Sequence, residues 1–138
     1  MNASRVSRFV QAPREAVYRA CSEPQELVRW RMPRTMSARL LDVDGATYRM
    51  ALFYPDGRAD TFTATFVERV PAERIVERVR LDAPDRAGEM TMTTTLRAVT
   101  GGTEVVVVCE NPPSSIRPED NEEGTRQALA RLAALIES

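Results

Sequence analysis

The stretch that decides the fold is residues 90–109, MTMTTTLRAVTGGTEVVVVC. Its first half alternates, with methionine, threonine and leucine at 90, 92, 94 and 96 on one face and threonines on the other. A period of two is that of a β-strand with one apolar and one polar face. Gly101-Gly102 then predicts a tight hairpin, and alternation from Thr103 to Cys109 predicts the returning strand. Such a pair of strands indicates an antiparallel sheet with one face buried against the core and the other exposed to solvent.

The same alternation recurs toward the start of the chain. Asp44-Gly45, Pro55-Asp56-Gly57 and the turn at residues 71–73 separate successive alternating runs, and a loop covers residues 84–88. We expect these runs to pair as neighbours, giving about seven antiparallel strands in all. The strands predicted before residue 90 cover residues 4–11, 36–42, 47–54, 61–70 and 75–81.

Helical patterns stand at both ends of this strand-rich region. Two short helices are predicted over residues 13–21 and 24–30, because Pro13 and Pro24 fit a first helical turn. Near the end, acidic residues at 119–123 precede an apolar stripe at helical spacing, which predicts a long C-terminal helix. A curved antiparallel sheet wrapped around that helix would cover both apolar faces. The expected fold class is therefore α+β, in a single domain over residues 1–138.

Composition excludes several classes of chemistry. The chain has 138 residues and a net charge of −1, and it contains neither histidine nor lysine, so all 19 basic residues are arginine. A Ser-His-Asp triad, a histidine zinc site and a lysine Schiff base are therefore excluded. Acidic and basic residues are interspersed, so no basic stripe predicts nucleic-acid binding. We expect no metal and no cofactor.

Location and redox state follow from the same sequence. No secretory signal is seen at the start, and the longest apolar run, residues 105–109, is too short to span a bilayer. We expect a cytoplasmic protein with no membrane span, and the arginine usage suggests a bacterial source. Cys21 and Cys109 are then expected to be buried, reduced thiols rather than a disulfide.

Six segments of the chain carry a family resemblance: APREAVY at 12–18, PQELVRW at 24–30, DVDGATYRM at 42–50, residues 68–75, Gly102-Thr103, and Gly124 with the helix that follows. Taken in order, they resemble the START-like, or SRPBCC, superfamily. More narrowly, the chain is similar to the bacterial, polyketide-cyclase-like relatives of the activator of the ninety-kilodalton heat-shock-protein ATPase (AHSA-type proteins). Thr125 follows Gly124 where the family commonly has tryptophan, and Gly45-Ala46 stands where it has paired glycines.

The resemblance implies the helix-grip fold, in which a seven-stranded antiparallel sheet surrounds a long C-terminal helix and a cavity lies between them. The usual role in that family is to hold an apolar small molecule in the cavity, and some superfamily members are cyclases or other enzymes. The inward-facing residues could line such a pocket or fill an ordinary core. The pocket residues we predict are Trp30, Tyr48, Met50, Phe62, Phe66, Val79, Met90, Met92, Leu129 and Leu132.

Glu77 is the weak catalytic candidate. By alternation it shares the face of Ile75 and Val79, where a carboxylate is costly unless it is paired. It could act there as a general acid or a ligand anchor. The alternative is that a twist or bulge of the strand leaves Glu77 exposed to solvent, or that Glu77 forms an ion pair with an arginine on a neighbouring strand.

Three functions remain open at this point. The first is a binding protein that holds an apolar or amphipathic small molecule. The second is a cyclase- or hydratase-like enzyme that uses Glu77, Tyr48 or Tyr54 as an acid or base. The third is an interaction module, such as a chaperone accessory or a self-associating domain that forms a homodimer.

Overall fold

Seven strands form one antiparallel sheet in a computed structural model that describes residues 3–33, 35–82, 88–112 and 116–137. The strand order is β1-β7-β6-β5-β4-β3-β2, and every adjacent pair is antiparallel. The expected α+β helix-grip architecture is confirmed. The elements are β1 (Ala3–Val10), α1 (Arg14–Ser22), α2 (Pro24–Leu27), β2 (Ser37–Asp44), β3 (Thr47–Phe53), β4 (Ala59–Val70), β5 (Arg74–Leu81), β6 (Met90–Val99), β7 (Gly102–Glu110) and α3 (Pro118–Glu137).

The helix α2 is shorter than predicted. It ends at Leu27 rather than Trp30, because the backbone N–H groups of Arg29 and Trp30 bond to carbonyls only three residues back. Residues 28–33 therefore leave the helix and cross the concave side of the sheet on the way to β2; we call them the connecting segment. The loop predicted at residues 84–88 lies outside the described residues except for Gly88.

Two β-bulges interrupt the sheet. Leu41 in β2 and Val67 in β4 have no partner in the register, and their side chains are 37% and 48% exposed. A bulge bends its strand and increases the local twist, which helps an open sheet to curve around a helix. The Val67 bulge directly follows the pair Phe66–Glu77, so it lies at the point where a carboxylate faces the core.

The helix α3 lies on the concave face and comes closest to β1 at one edge of the sheet. Its buried side carries Ala128, Leu129, Leu132 and Ala133, which join the core cluster with residues from the strands and α1. A straight helix cannot touch every strand of a curved sheet equally. Space is left where α3 passes over the middle strands, and the cavity described below occupies that space.

Gly102 permits the close contact between β7 and the end of β1. A Cβ atom at this position would overlap the backbone oxygen of Val10 and lie 3.1 Å from the Cα of Gln11. We expect Gly102→Ala to lower the free energy of unfolding by about 1–3 kcal/mol in urea denaturation, because a backbone clash forces the strands apart. Gly45→Ala is the control: no atom lies within 4 Å, and only its φ of +61° is strained. A larger loss for Gly45→Ala would contradict the steric explanation.

Candidate functional site

A cavity of about 240 Å³ lies between the sheet, the connecting segment and α3. Most of its wall is apolar, and it is contributed by β3 to β7, the connecting segment and α3. Six of the ten predicted pocket residues line it: Trp30, Phe62, Val79, Met90, Met92 and Leu129.

The other four predicted pocket residues are Tyr48, Met50, Phe66 and Leu132, which are buried but do not line the cavity. They pack in the filled part of the core. Tyr48, for example, stacks edge-on against Phe62 and at a tilt against Phe66, with ring centroids 6.1 and 5.4 Å apart. Alternation places Tyr48, Met50 and Phe66 on the correct face of the sheet, and helical spacing places Leu132 on the inner side of α3.

Sequence reasoning missed two contributions to the wall. The connecting segment supplies Arg31, Met32 and Pro33, which have no periodic signal because they follow a short helix in an irregular segment. The helix α3 supplies a second group whose positions are spaced by three and four residues, so the helical period could have identified them. That group is Asn121, Gly124, Thr125 and Ala128.

Three side chains form a buried polar cluster beside the cavity: Arg31, Tyr48 and Glu77. The guanidinium Nη2 of Arg31 lies 2.7 Å from Oε2 of Glu77, and Nη1 donates to the Tyr48 oxygen at 3.2 Å. The Tyr48 hydroxyl donates to Oε1 of Glu77 at 2.5 Å. Glu77 is 1% exposed and faces inward. The alternative in which it is wet, or paired with a strand arginine, is therefore wrong: its partner comes from the connecting segment.

The electrostatics of this cluster keep Arg31 charged and Tyr48 neutral. Burial by itself would lower the pKa of Arg31, but the adjacent Glu77 and Tyr48 raise it above its ordinary value, so the guanidinium stays charged. Burial raises the pKa of the Tyr48 hydroxyl, with Arg31 opposing and Glu77 adding to the shift. Tyr48 thus remains a neutral donor. Both oxygens of Glu77 are engaged, and neither Glu77 nor Tyr48 reaches the cavity wall.

The connecting segment is fixed by contacts on both sides. The indole N–H of Trp30 donates to the backbone oxygen of Ala20 at 2.9 Å, and Arg131 of α3 donates to the backbone oxygen of Met32 at 3.0 Å. Trp30 is thus a core anchor that also forms part of the cavity wall. Its N–H is already paired with α1, so it serves the fold rather than a ligand.

Both cysteines are free and buried. Burial raises the pKa of the Cys21 thiol from 9.0 to about 12, with Arg31 opposing and Glu77 adding to the shift. The pKa of Cys109 is raised as well, chiefly by burial. Buried thiols of this kind are poor nucleophiles, because the reactive species is the thiolate.

The raised thiol pKa predicts a loss of stability at alkaline pH. Below pH 9 the Cys21 thiol is protonated in both the folded and the unfolded protein. Above pH 9 the thiol ionises in the unfolded chain but not in the folded one, so the free energy of unfolding falls as the pH rises toward 12. Between pH 8 and pH 10, Cys21 should account for roughly 1 kcal/mol of this loss. In urea denaturation, the free energy of unfolding should fall less between pH 8 and pH 10 for Cys21→Ala than for the wild type. Equal falls in the two proteins would contradict the assignment of this loss to the Cys21 thiol.

The described residues include neither a cluster of metal ligands nor a membrane-spanning helix. No group of three or more cysteine, aspartate or glutamate side chains there is arranged to hold a metal ion. None of the described helices combines the length and the apolar character that crossing a bilayer requires.

Comparison with known proteins agrees with the geometry. The family model described as activator of Hsp90 ATPase homolog 1-like protein matches residues 11–137. A crystal structure of a protein from Chromobacterium violaceum is 35% identical, with a TM-score of 0.93 over 99% of this chain and 98% of that one. No match is found among curated proteins.

More distant structures share the fold alone. The AHSA1 protein from Silicibacter pomeroyi is 16% identical and superposes with a TM-score of 0.83 over 98% of this chain and 97% of that one. DynU16, from the dynemicin biosynthetic locus, is 22% identical with a TM-score of 0.74; all of this chain matches 48% of DynU16.

Proposed function

Because this chain belongs to the activator of Hsp90 ATPase homolog 1-like family and has an apolar cavity between its sheet and α3, we propose that it binds a compact apolar or amphipathic small molecule there. The cavity carries the proposal. Small-molecule sites are typically apolar clefts of about 300–1,000 Å³ with a few placed polar groups. At about 240 Å³ this one suits a compact ligand rather than a long lipid chain.

The chemistry of the wall supports binding. Met90 and Met92 lie side by side on the floor, and flexible thioether chains adapt to irregular shapes. The two free, buried thiols are compatible with a reducing compartment, so we place this role in the cytoplasm.

A cyclase- or hydratase-like reaction has less support. It would require Glu77 or Tyr48 to reach a substrate in the cavity, yet both are bonded within the polar cluster and neither lines the wall. An interaction module has less support too. Among the described residues, the exposed large apolar side chains lie on three strands: Phe9 on β1, Leu41 and Val43 on β2, and Val67 on β4. Phe9 is separated from the other three by β7, β6 and β5, so the four do not form one patch.

Native mass spectrometry of the protein purified from bacterial cells tests the proposal, with a bound small molecule as the expected result. Ala128→Phe should abolish this added mass, because Ala128 lines the cavity. Ala130→Phe makes the same change on the exposed side of α3 and should leave the added mass intact. A bare chain in native spectra, together with no binding of α-methylstyrene by calorimetry, would overturn the proposal.

A further inference from the structure

The wall of the cavity carries a polar side chain with no partner, Thr94 of β6. Thr94 is 4% exposed, and its register partners Ile75 and Val107 are core residues, so its side chain faces inward. It is one of the residues that line the cavity. Within the described part of the chain, nothing forms a hydrogen bond with its hydroxyl group.

This hydroxyl group is open to the cavity. Among the residues that the structure describes, the one side-chain nitrogen or oxygen that is both unpaired and sealed from solvent is Nε of Arg31. The unpaired Oγ1 of Thr94 is therefore not sealed, and the free space that Thr94 borders is the cavity. Polar groups so deep in a protein are nearly always paired, and a hydroxyl can both donate and accept.

The cavity has an open end and a closed end. Along α3, Asp120, Gly124 and Ala128 line it at intervals of four residues, and they are exposed, half-buried and buried in that order. Along β6, Met90 is half-buried, whereas Thr94, about 13 Å further along the strand, is buried. Both walls thus lead from solvent into the core.

The two walls open at the same end of the sheet. Ser4, Cys109 and Met92 lie side by side on β1, β7 and β6, and Ser4 donates to Oδ1 of Asn121 near the start of α3. The first turn of α3 therefore lies near the beginning of β6. The aspartate of the wall belongs to the open end of the cavity, and the unpaired threonine lies further in.

The charge at the open end favours a cation. The charged residues in the described wall are Arg31, which is balanced by Glu77 at 2.7 Å, and Asp120. Asp120 has no ion-pair partner in the described part of the chain, and the nearest arginine in sequence, Arg117, bonds to Glu119 at 3.1 Å. A cationic group here would gain an ion pair, whereas an anionic group would meet a like charge.

We propose that the ligand is an amphipathic amine. Its compact apolar body carries a hydroxyl group at the inner end, bonded to Thr94, and an ammonium group at the outer end, paired with Asp120. This inference rests on the proposed function and adds the chemical class of the ligand. Met90 and Met92, which line the cavity on β6, contact the apolar body.

Tyramine is the probe, because its hydroxyl and ammonium groups lie at opposite ends of one apolar framework. Two analogues each lack one end: phenethylamine lacks the hydroxyl, and 4-propylphenol has a methyl group in place of the ammonium. Thr94→Val exchanges the hydroxyl for a methyl group. By isothermal titration calorimetry at pH 7, it should weaken tyramine about fivefold and change phenethylamine by less than about twofold. Thr95→Val, on the exposed face of the same strand, should leave both affinities unchanged.

Asp120→Asn tests the outer end of the ligand. It removes the charge and keeps the shape, so it should weaken tyramine about threefold, as expected for an exposed ion pair, and leave 4-propylphenol nearly unchanged. The control is Glu119→Gln, which removes an exposed charge from the same turn but does not alter the cavity wall. Its effect on tyramine should be smaller than that of Asp120→Asn.

The outcomes separate this inference from the proposed function. If Thr94→Val affected tyramine and phenethylamine equally, or Asp120→Asn affected tyramine and 4-propylphenol equally, the proposed ligand class would be overturned. A water molecule that serves Thr94 in the complex would produce the first of these results. A wild-type protein that binds α-methylstyrene but not tyramine would overturn the inference and leave the proposed function standing. Failure of both to bind would count against the proposed function itself.

Discussion

Arg31→Met is expected to lower the free energy of unfolding by about 3–5 kcal/mol, measured by urea denaturation at pH 7 with circular dichroism. The variant keeps a side chain of similar length but leaves Glu77 buried, at 1% exposure, with Tyr48 as its remaining donor. A carboxylate in that position loses its hydration without gaining a counter-ion.

Two further variants show whether the loss comes from the isolated charge. Arg29→Met removes an exposed ion pair with Glu26 and should cost less than about 1 kcal/mol. Arg31→Met combined with Glu77→Leu removes both charges and should regain most of the stability lost in Arg31→Met. A double variant as unstable as Arg31→Met would contradict this explanation.

Leu129→Ala and Leu132→Ala should each lower the free energy of unfolding by about 2–5 kcal/mol in the same measurement. Both leucines are almost wholly buried on the inner side of α3. Each truncation removes apolar contacts and leaves a space that the surrounding core closes only in part.

The same two variants should differ in ligand binding. Leu129 lines the cavity and Leu132 does not, although both belong to one helix face. Leu129→Ala should enlarge the cavity, weaken α-methylstyrene binding and admit the larger 2-vinylnaphthalene, whereas Leu132→Ala should leave the α-methylstyrene affinity nearly unchanged. Calorimetry on the two folded variants checks this. Equal effects on binding would show that the cavity wall is not where the structure places it.

The strands were predictable because their information is local. A period of two and glycine- or proline-containing turns located them to within about two residues. The bulges at Leu41 and Val67 were not predictable, because the position of an extra residue depends on the fit to two neighbouring strands.

The polar cluster was half predictable. The period of two placed Glu77 on the inner face, but its partner Arg31 is 46 positions away, in a segment without periodicity, and the sequence offers 19 arginines.

Tyr54 is a residue that alternation predicted to face the core but that does not face the cavity. The period places it on the face of Tyr48, yet β3 ends at Phe53, and the Tyr54 hydroxyl donates to Asp60 at 2.8 Å instead of facing the cavity. Alternation predicts which face of the sheet a side chain is on, but it does not predict where along that face the core leaves a cavity.

The strand order also sets the timing of assembly during synthesis. At the sheet edge, β1 pairs with β7 alone, and Ser4 bonds to Asn121 across 117 positions of sequence. At roughly 5–20 residues per second, a ribosome takes several seconds to deliver β7 after β1 has emerged. Val6 and Val10 spend that interval without their apolar partners, and closing so long a loop slows the final step of folding. We expect the last strand and α3 to complete the cavity, so a nascent chain lacks the closed cavity until α3 has emerged from the ribosome.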